Sequence, residues 1–466
     1  MMFRQLLLLT VFLPLSLVGS YGQQARDTKL QATPSRQWFV TGQGDDSNNG
    51  KTINAPFRTL RQAASVAGPG DVIMIGNGTY TDTNKATNNA VVTISQSGRP
   101  DAWITWKAIP GHTPLIEPVG WNGILITGSY HIVDGLTIVG KNDLLTLVDA
   151  LSDAKNATPN PAFNSNGISI DGRKSSPDAK PHHVIIRNCS VGKCPGGGIT
   201  LLEGDYVTIE DCKVYDNAWY MRYAGSGITT LNNWAFDDKP GYHIVIQRNL
   251  VWNNKTLVPW ERTGKLSDGN GILLDVTDLS GGATNPNADT AVAANKPVAQ
   301  TPVKAKRPEW HGRALIANNV SAYNGGSGIH TFRTRHVDII NNTTYWNGQV
   351  VGYQELFPNR SDDIVILNNI IVPRPGGKVT SDNRNTNIRW DYNLYTQAQK
   401  VFTGANDFIT DPGFVSIPIN LVMGSFQLKK GSRGINSGTN DVNQSVDITK
   451  KKRPIGAGRD RGAYEQ

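Results

Sequence analysis

Residues 267–278 read SDGNGILLDVTD, placing Asp268, Asn270, Asp275 and Asp278 around the apolar run Ile272, Leu273 and Leu274. Two carboxyls held close together can do either of two jobs. Flanking a glycosidic bond, the one with the raised pKa gives a proton while the other serves as base or nucleophile. Joined by an amide oxygen they become hard ligands for Ca²⁺, so Asp268 and Asp275 are the candidate metal ligands, with Asn270 beside them. A cation there would neutralise a uronate carboxylate, acidify the neighbouring C–H and permit β-elimination. Arginine does the same work without metal, and GIHTFRTRH at 328–336 supplies Arg333 and Arg335, with His330 as a candidate base. Lys265 in WERTGKLSDGN is a second candidate base. YDNAWYMRYAGSG at 215–227 adds Trp219, Tyr220, Arg222 and Tyr223, aromatic platforms for sugar rings and an arginine fork for a carboxylate. Phe332 and Asn270 complete the substrate-binding candidates.

These residues must be positioned by repeated strands. Gly followed by Ile opens NGILIT, NGISID, GGITLL, SGITTL, NGILLD and SGIHTF at Gly123, Gly167, Gly198, Gly227, Gly271 and Gly328. A second strand type recurs between them, as in HVIIRNCSV, YVTIEDCKV and HVDIINNTT. Asn188 to Asp211 and Asn319 to Asn342 are both intervals of 23 residues. Such a period with β-branched alternation and no helical spacing predicts a parallel β-solenoid, whose corner Asn residues stack as an amide ladder. With each Ile inward, alternation turns Ser169, Thr200, Thr229, Leu273 and His330 outward in one column, and Asp171, Leu202, Leu231, Asp275 and Phe332 in the next. Asp275 and His330 are therefore expected on one external surface. Cys189 and Cys212 follow aligned corners and are expected to stack inward as free thiols. The sequons at Asn188, Asn319 and Asn342 are expected to mark buried corners.

The fold class is thus all-β, a right-handed parallel β-helix with an N-terminal capping helix and inserted loops. Phe57, Leu60, Ala63, Ala64 and Ala67 form one apolar stripe on a helix predicted over about Pro56 to Ala67, suited to covering an open solenoid end. The expected organisation is a signal peptide at 1–22, a flexible segment at 23–35 and one domain at 36–466. Within it, 36–80 is the N-terminal cap region, 279–312 a long insertion and 410–466 the C-terminal coil and tail.

Arg4 ahead of the apolar stretch Leu6 to Val18, then small residues, reads as a secretory leader, so the chain is expected outside the cytoplasm, with no membrane span. The formal net charge of +8 over 466 residues favours an acidic polysaccharide partner, since nucleic acid calls for a denser basic stripe. Three cysteines are too few for a disulfide scaffold. No phosphate loop, dinucleotide fingerprint or zinc-spaced Cys/His set occurs, so no nucleotide or redox cofactor is expected; Ca²⁺ remains a candidate. A monomer is expected.

The segment FVTGQGDDSNNG…PFRTLRQAASVAGPGDVIMIGNGTY, the Asn-bearing coils and the tail DPGF…RDRGAYE together resemble the pectate-lyase-like right-handed β-helix proteins, nearest to polysaccharide lyase family nine. The resemblance covers nearly the whole chain after the leader. It implies a secreted enzyme cleaving a uronate-containing polysaccharide by β-elimination. A glycoside hydrolase using an Asp pair and a non-catalytic glycan binder are the alternatives, because the scaffold hosts several functions. The sequence departs from that family at Arg461, where an apolar residue is usual, and shows no match to its clustered-aspartate calcium site and strand-borne lysine.

Overall fold

The computed structural model describes residues 36–81, 89–277, 307–418 and 426–466. The expected leader, the 23–35 segment and residues 279–306 of the insertion lie outside the described residues. The described strands form three parallel sheets of eleven, eleven and eight strands. Each coil visits them in turn: in one, His182–Arg187 lies in sheet A, Ser190–Gly192 in sheet B and Ile199–Leu202 in sheet C. The chain is a right-handed parallel β-helix.

Its interior follows from alternation. Ile170, Leu201, Thr230, Leu274 and Thr331 share one inward register position in sheet C, and Ile186, Ile209, Ile246, Ile316 and Ile339 share one in sheet A. Both columns are essentially without solvent exposure. Corners between sheets use left-handed backbone, which Asn and Asp tolerate best among non-glycine residues. Asn188, Asp211, Arg248, Asn318, Asn341 and Asn368 all take such a φ, between 53° and 60°, at the turn from sheet A to sheet B.

The amide ladder sits one residue further on, which corrects the expected alignment. Asn249, Asn319, Asn342, Asn369 and Asn393 stack, each side-chain oxygen accepting from the previous residue's backbone and amide N–H at 2.9–3.1 Å. Cys189 and Cys212 occupy this ladder position in earlier coils as free buried thiols. Asn188 belongs to the left-handed column and is exposed, so its sequon is no buried corner, whereas Asn319 and Asn342 are fully buried. A second ladder, Asn217, Asn254, Asn324 and Asn347, runs along the turn into sheet C and ends on the buried carboxyl of Glu355.

The N-terminal helix spans Leu60–Val66, shorter than expected because Thr59 caps it by accepting from Gln62 N–H. Leu60 and Ala63 enter the main core, and the helix touches the first strands of sheets A and C. The last strand among the described residues is Phe408–Ile409 in sheet B, and Phe414, Phe426 and Ala463 beyond it pack in a cluster with Trp252 and Tyr345 of the coils. Arg461 explains its departure from the apolar pattern: it is buried, donates to Asn393 O and Asn406 O at 2.8 Å, and covers the Phe408 ring at 4.0 Å. No helix among the described residues is long and apolar enough to cross a membrane.

Candidate functional site

Sheet C carries the acidic motif. The strand Ile272–Asp275 pairs with Ile228–Leu231 on one side and Ile329–Phe332 on the other, setting Leu273 against His330 and Asp275 against Phe332. The next strand adds Phe357 beside His330 and Asn359 beside Phe332. His330 and Asp275 are therefore diagonal neighbours on adjacent coils, roughly 8 Å apart at Cα from the strand spacing and rise. The first outward column is not the open surface that alternation predicts. Leu273, His330 and Phe357 are 2%, 4% and 9% exposed, and His330 stacks on Phe357 at 4.6 Å with Tyr353 across its edge at 5.6 Å. Asp275, in the second column, stays half-buried.

Asp268 precedes the strand in a left-handed turn, φ 64°, and accepts from the Asn270 amide at 3.2 Å. Asn270 is itself buried, donating also to Ser226 Oγ and accepting from Ser327 N–H at 2.8 Å. Its amide oxygen is thus spent on holding two coils in register, which makes it a positioning group rather than a contact for substrate. Val276, directly after Asp275, also takes a left-handed φ of 56°. A β-branched residue there costs on the order of 1–3 kcal/mol, the kind of strain that gathers at functional sites.

Burial inverts the usual proton order of these groups. The Asp268 carboxyl is pushed up to about 7 by desolvation, against the Asn270 hydrogen bond that lowers it. Asp275 is raised well above the carboxylate range by desolvation and by Asp268, with Arg333 opposing. His330 is pushed down to about 3 by desolvation. Neither of its ring nitrogens has a hydrogen-bond partner among the described residues. In water an imidazole takes a proton from a carboxylic acid. Here desolvation favours the neutral form of all three groups.

One stability consequence follows. A carboxyl raised on folding contributes most below its unfolded pKa and loses that contribution as pH climbs through its folded value. Asp268→Asn, which can still accept from Asn270, is expected to raise the Tm more at about pH 8 than at about pH 5. Thermal melts at the two pH values check this, and an equal shift at both would contradict the burial argument.

The structure separates the remaining candidates. Arg333 is buried close enough to Asp275 to lower its pKa, and Phe332 lies half-buried in the same column as Asp275. Lys265 stands exposed on a hairpin closed by the Trp260 and Lys265 bridge. The aromatic loop folds back on the barrel. Tyr220 is buried with its hydroxyl on Leu145 O, and Trp219 packs in the same small cluster and donates to Asn253 O. Arg222 is buried against Glu261 at 2.8 Å and donates to Asn156 O at 2.8 Å, so it is not free to clamp a uronate. Tyr223 is half-buried, its ring 6.3 Å from Trp121 and 6.0 Å from Arg222.

Nor do the residues suit a resident Ca²⁺. That ion takes six to eight oxygens, and no group of three or more His, Cys, Asp or Glu side chains converges among the described residues. With the Asn270 oxygen occupied, the Asp268 and Asp275 carboxyls remain, with Arg333 near Asp275.

Three contributors are absent from the sequence reading. Tyr353 hydrogen-bonds Ser267, and its phenol pKa is raised by burial first and by Asp268 second. Phe357 supplies the stacking face for His330. Arg360 places its guanidinium over the Phe332 ring at 6.0 Å. Their coil opens QELFPN, without the Gly-Ile marker of the preceding coils.

Comparison with known proteins agrees with this architecture. A family model described as "Pel9A-like, right handed beta helix region" matches residues 38–362. No curated protein matches the chain in sequence. Similar solved structures include the crystal structure of pectate lyase Pel9A, with 15% identity, TM-score 0.49, and coverage of 94% of this chain and 98% of that one. A rhamnogalacturonan lyase aligns with 15% identity, TM-score 0.49, and coverage of 82% and 91%. The complex of XylC with xylose aligns with 12% identity, TM-score 0.46, and coverage of 92% and 98%.

Proposed function

The chain belongs to the Pel9A-like right-handed β-helix family, and on that premise we propose that it is a polysaccharide lyase cleaving a uronate-containing chain by β-elimination. The observation that carries the reading is a buried imidazole with no hydrogen-bond partner on either nitrogen among the described residues, on the strand next to the one that carries half-buried Asp275, with Arg333 near that carboxyl. Opposed pKa values in one site mark its acid and its base. Arg333 and protonated Asp275 hold the substrate carboxylate and absorb the charge that develops as the adjacent C–H is broken. His330 takes that proton, the electron pair forms the new carbon–carbon double bond, and the glycosidic C–O bond breaks. Asp268 gives its proton to the departing oxygen. Tyr353, bonded to Ser267, helps close the site against water.

The experiment follows ultraviolet absorbance and new reducing ends together on polygalacturonate, alginate and glucuronan. Equal growth of both supports elimination. New reducing ends without absorbance move the assignment to a hydrolase built on the Asp268 and Asp275 pair, the reading favoured by their mutual influence. Neither signal on any polymer leaves a glycan-binding β-helix. Turnover is expected to continue in excess chelator, because charge neutralisation rests on Arg333 and Asp275. Its loss in chelator and return with Ca²⁺ would remove them from that role.

A further inference from the structure

The turn from sheet C into sheet A repeats a left-handed residue in six consecutive coils from Glu203 on, and its chemistry changes abruptly along the axis. Glu203, Asn232 and Val276 occupy it first; Arg333, Arg360 and Arg384 follow in three consecutive coils, with φ of 52°, 51° and 55°. Their stacking is fixed by the backbone: Arg333 N–H donates to Asn359 O at 3.0 Å and Arg360 N–H to Asn383 O at 2.8 Å. Together with Arg335, Ser361, Asp362 and Thr386 they line an open cleft of about 340 Å³. Asp362 is the one acid in that lining; its Oδ1 accepts from Thr386 and Asn387 at 2.5 and 2.8 Å, and its Oδ2 lies 4.0 Å from Arg335 Nε. Glu309 approaches Arg335 no closer than 3.7 Å. Four guanidinium groups therefore face one carboxylate in the lining. The cleft begins at Arg333, the residue that also faces Asp275.

We propose that this arginine column binds successive carboxylates of one acidic polysaccharide strand laid along the helix axis, extending outward from the reacting uronate. This rests on the elimination reading for its substrate, not for its binding. Successive corners are separated by about 4.8 Å, close to one pyranose unit of an extended chain. Guanidinium forks suit carboxylates bidentately. A single-stranded nucleic acid fits less well, because base stacking needs a row of exposed aromatic rings. No aromatic residue lines the cleft among the described residues, and the neighbouring Phe332 ring is covered by Arg360.

The test uses binding, so that it survives if the chain proves not to be a lyase. An oligogalacturonate tetramer is titrated calorimetrically into the full chain and into the Arg360→Gln/Arg384→Gln double variant, with a neutral gluco-oligomer and an oligonucleotide as controls. The parent is expected to bind with an affinity that falls as salt rises, and the double variant to lose roughly 10²-fold. Arg384→Lys, on an exposed side chain, keeps the charge without the fork and is expected to lose less, which guards against misfolding as the cause. Unchanged binding by the double variant overturns the proposal. So does no binding by the parent, or equal binding of the neutral oligomer or the oligonucleotide.

Discussion

Asp275→Asn is expected to leave the protein folded and to lower kcat/KM by roughly 10²- to 10³-fold, the range for weakening a donor aimed at the developing charge. The side chain stands outward on sheet C and takes no part in the inward column of Ile272 and Leu274, so its carboxyl contributes nothing to the core. Removing a carboxyl whose pKa burial has raised should, if anything, raise the Tm above neutral pH. That pairing of lost turnover with unchanged or higher Tm is the signature of a residue kept for chemistry. His330→Gln is expected to lose activity comparably, and the double variant to be little worse than either single one, since groups acting as a unit are not additive. Steady-state kinetics with thermal melts checks all three; an inactive and unfolded Asp275→Asn would place the residue in the scaffold instead.

Asn342→Ala is expected to cost about 3–5 kcal/mol, near the upper end for one substitution. The Asn342 amide donates to Ile316 O, Ile340 O and Asn369 Oδ1, while its oxygen accepts from the Asn319 backbone and amide N–H. Alanine leaves those buried groups without partners, at about 1–3 kcal/mol each before relaxation. Asn188→Ala, at an exposed corner, is the control and is expected to change stability by well under 1 kcal/mol. Denaturant melts with an unchanged m-value check the pair, and equal losses at both positions would contradict the ladder assignment.

Much of the scaffold was legible because a period of two is unambiguous over repeated strands. The Gly-Ile openings assigned Ile272 and Leu274 inward and Asp275 outward, and the register agrees. The ladder was read one residue off in its early coils. RNC and EDC place Asn188 and Asp211 in the left-handed slot with a cysteine in the ladder slot, whereas Asn318 and Asn319, like Asn341 and Asn342, fill both. Residue type alone does not distinguish the two slots. The aromatic loop was misplaced for a different reason: Tyr220 and Arg222 are satisfied by Leu145, Ala150 and Asn156, contacts that local sequence does not reveal. Whether an outward column is open or covered was equally hidden, because Tyr353 and Phe357 close over His330 from the following coil.

The central claim is the inverted proton order, neutral His330 beside protonated Asp268 and Asp275, and the pH dependence of elimination tests it most directly. Initial ultraviolet rates on a polyuronate, measured in excess chelator across the pH range, are expected to hold on the acid side and fall as pH rises through about 7, where Asp268 gives up its proton. Protonation of His330 sets the acid limb, near 3. A rate that instead climbs through neutrality would mean the carboxyls act ionised and His330 is not the base, contradicting the account.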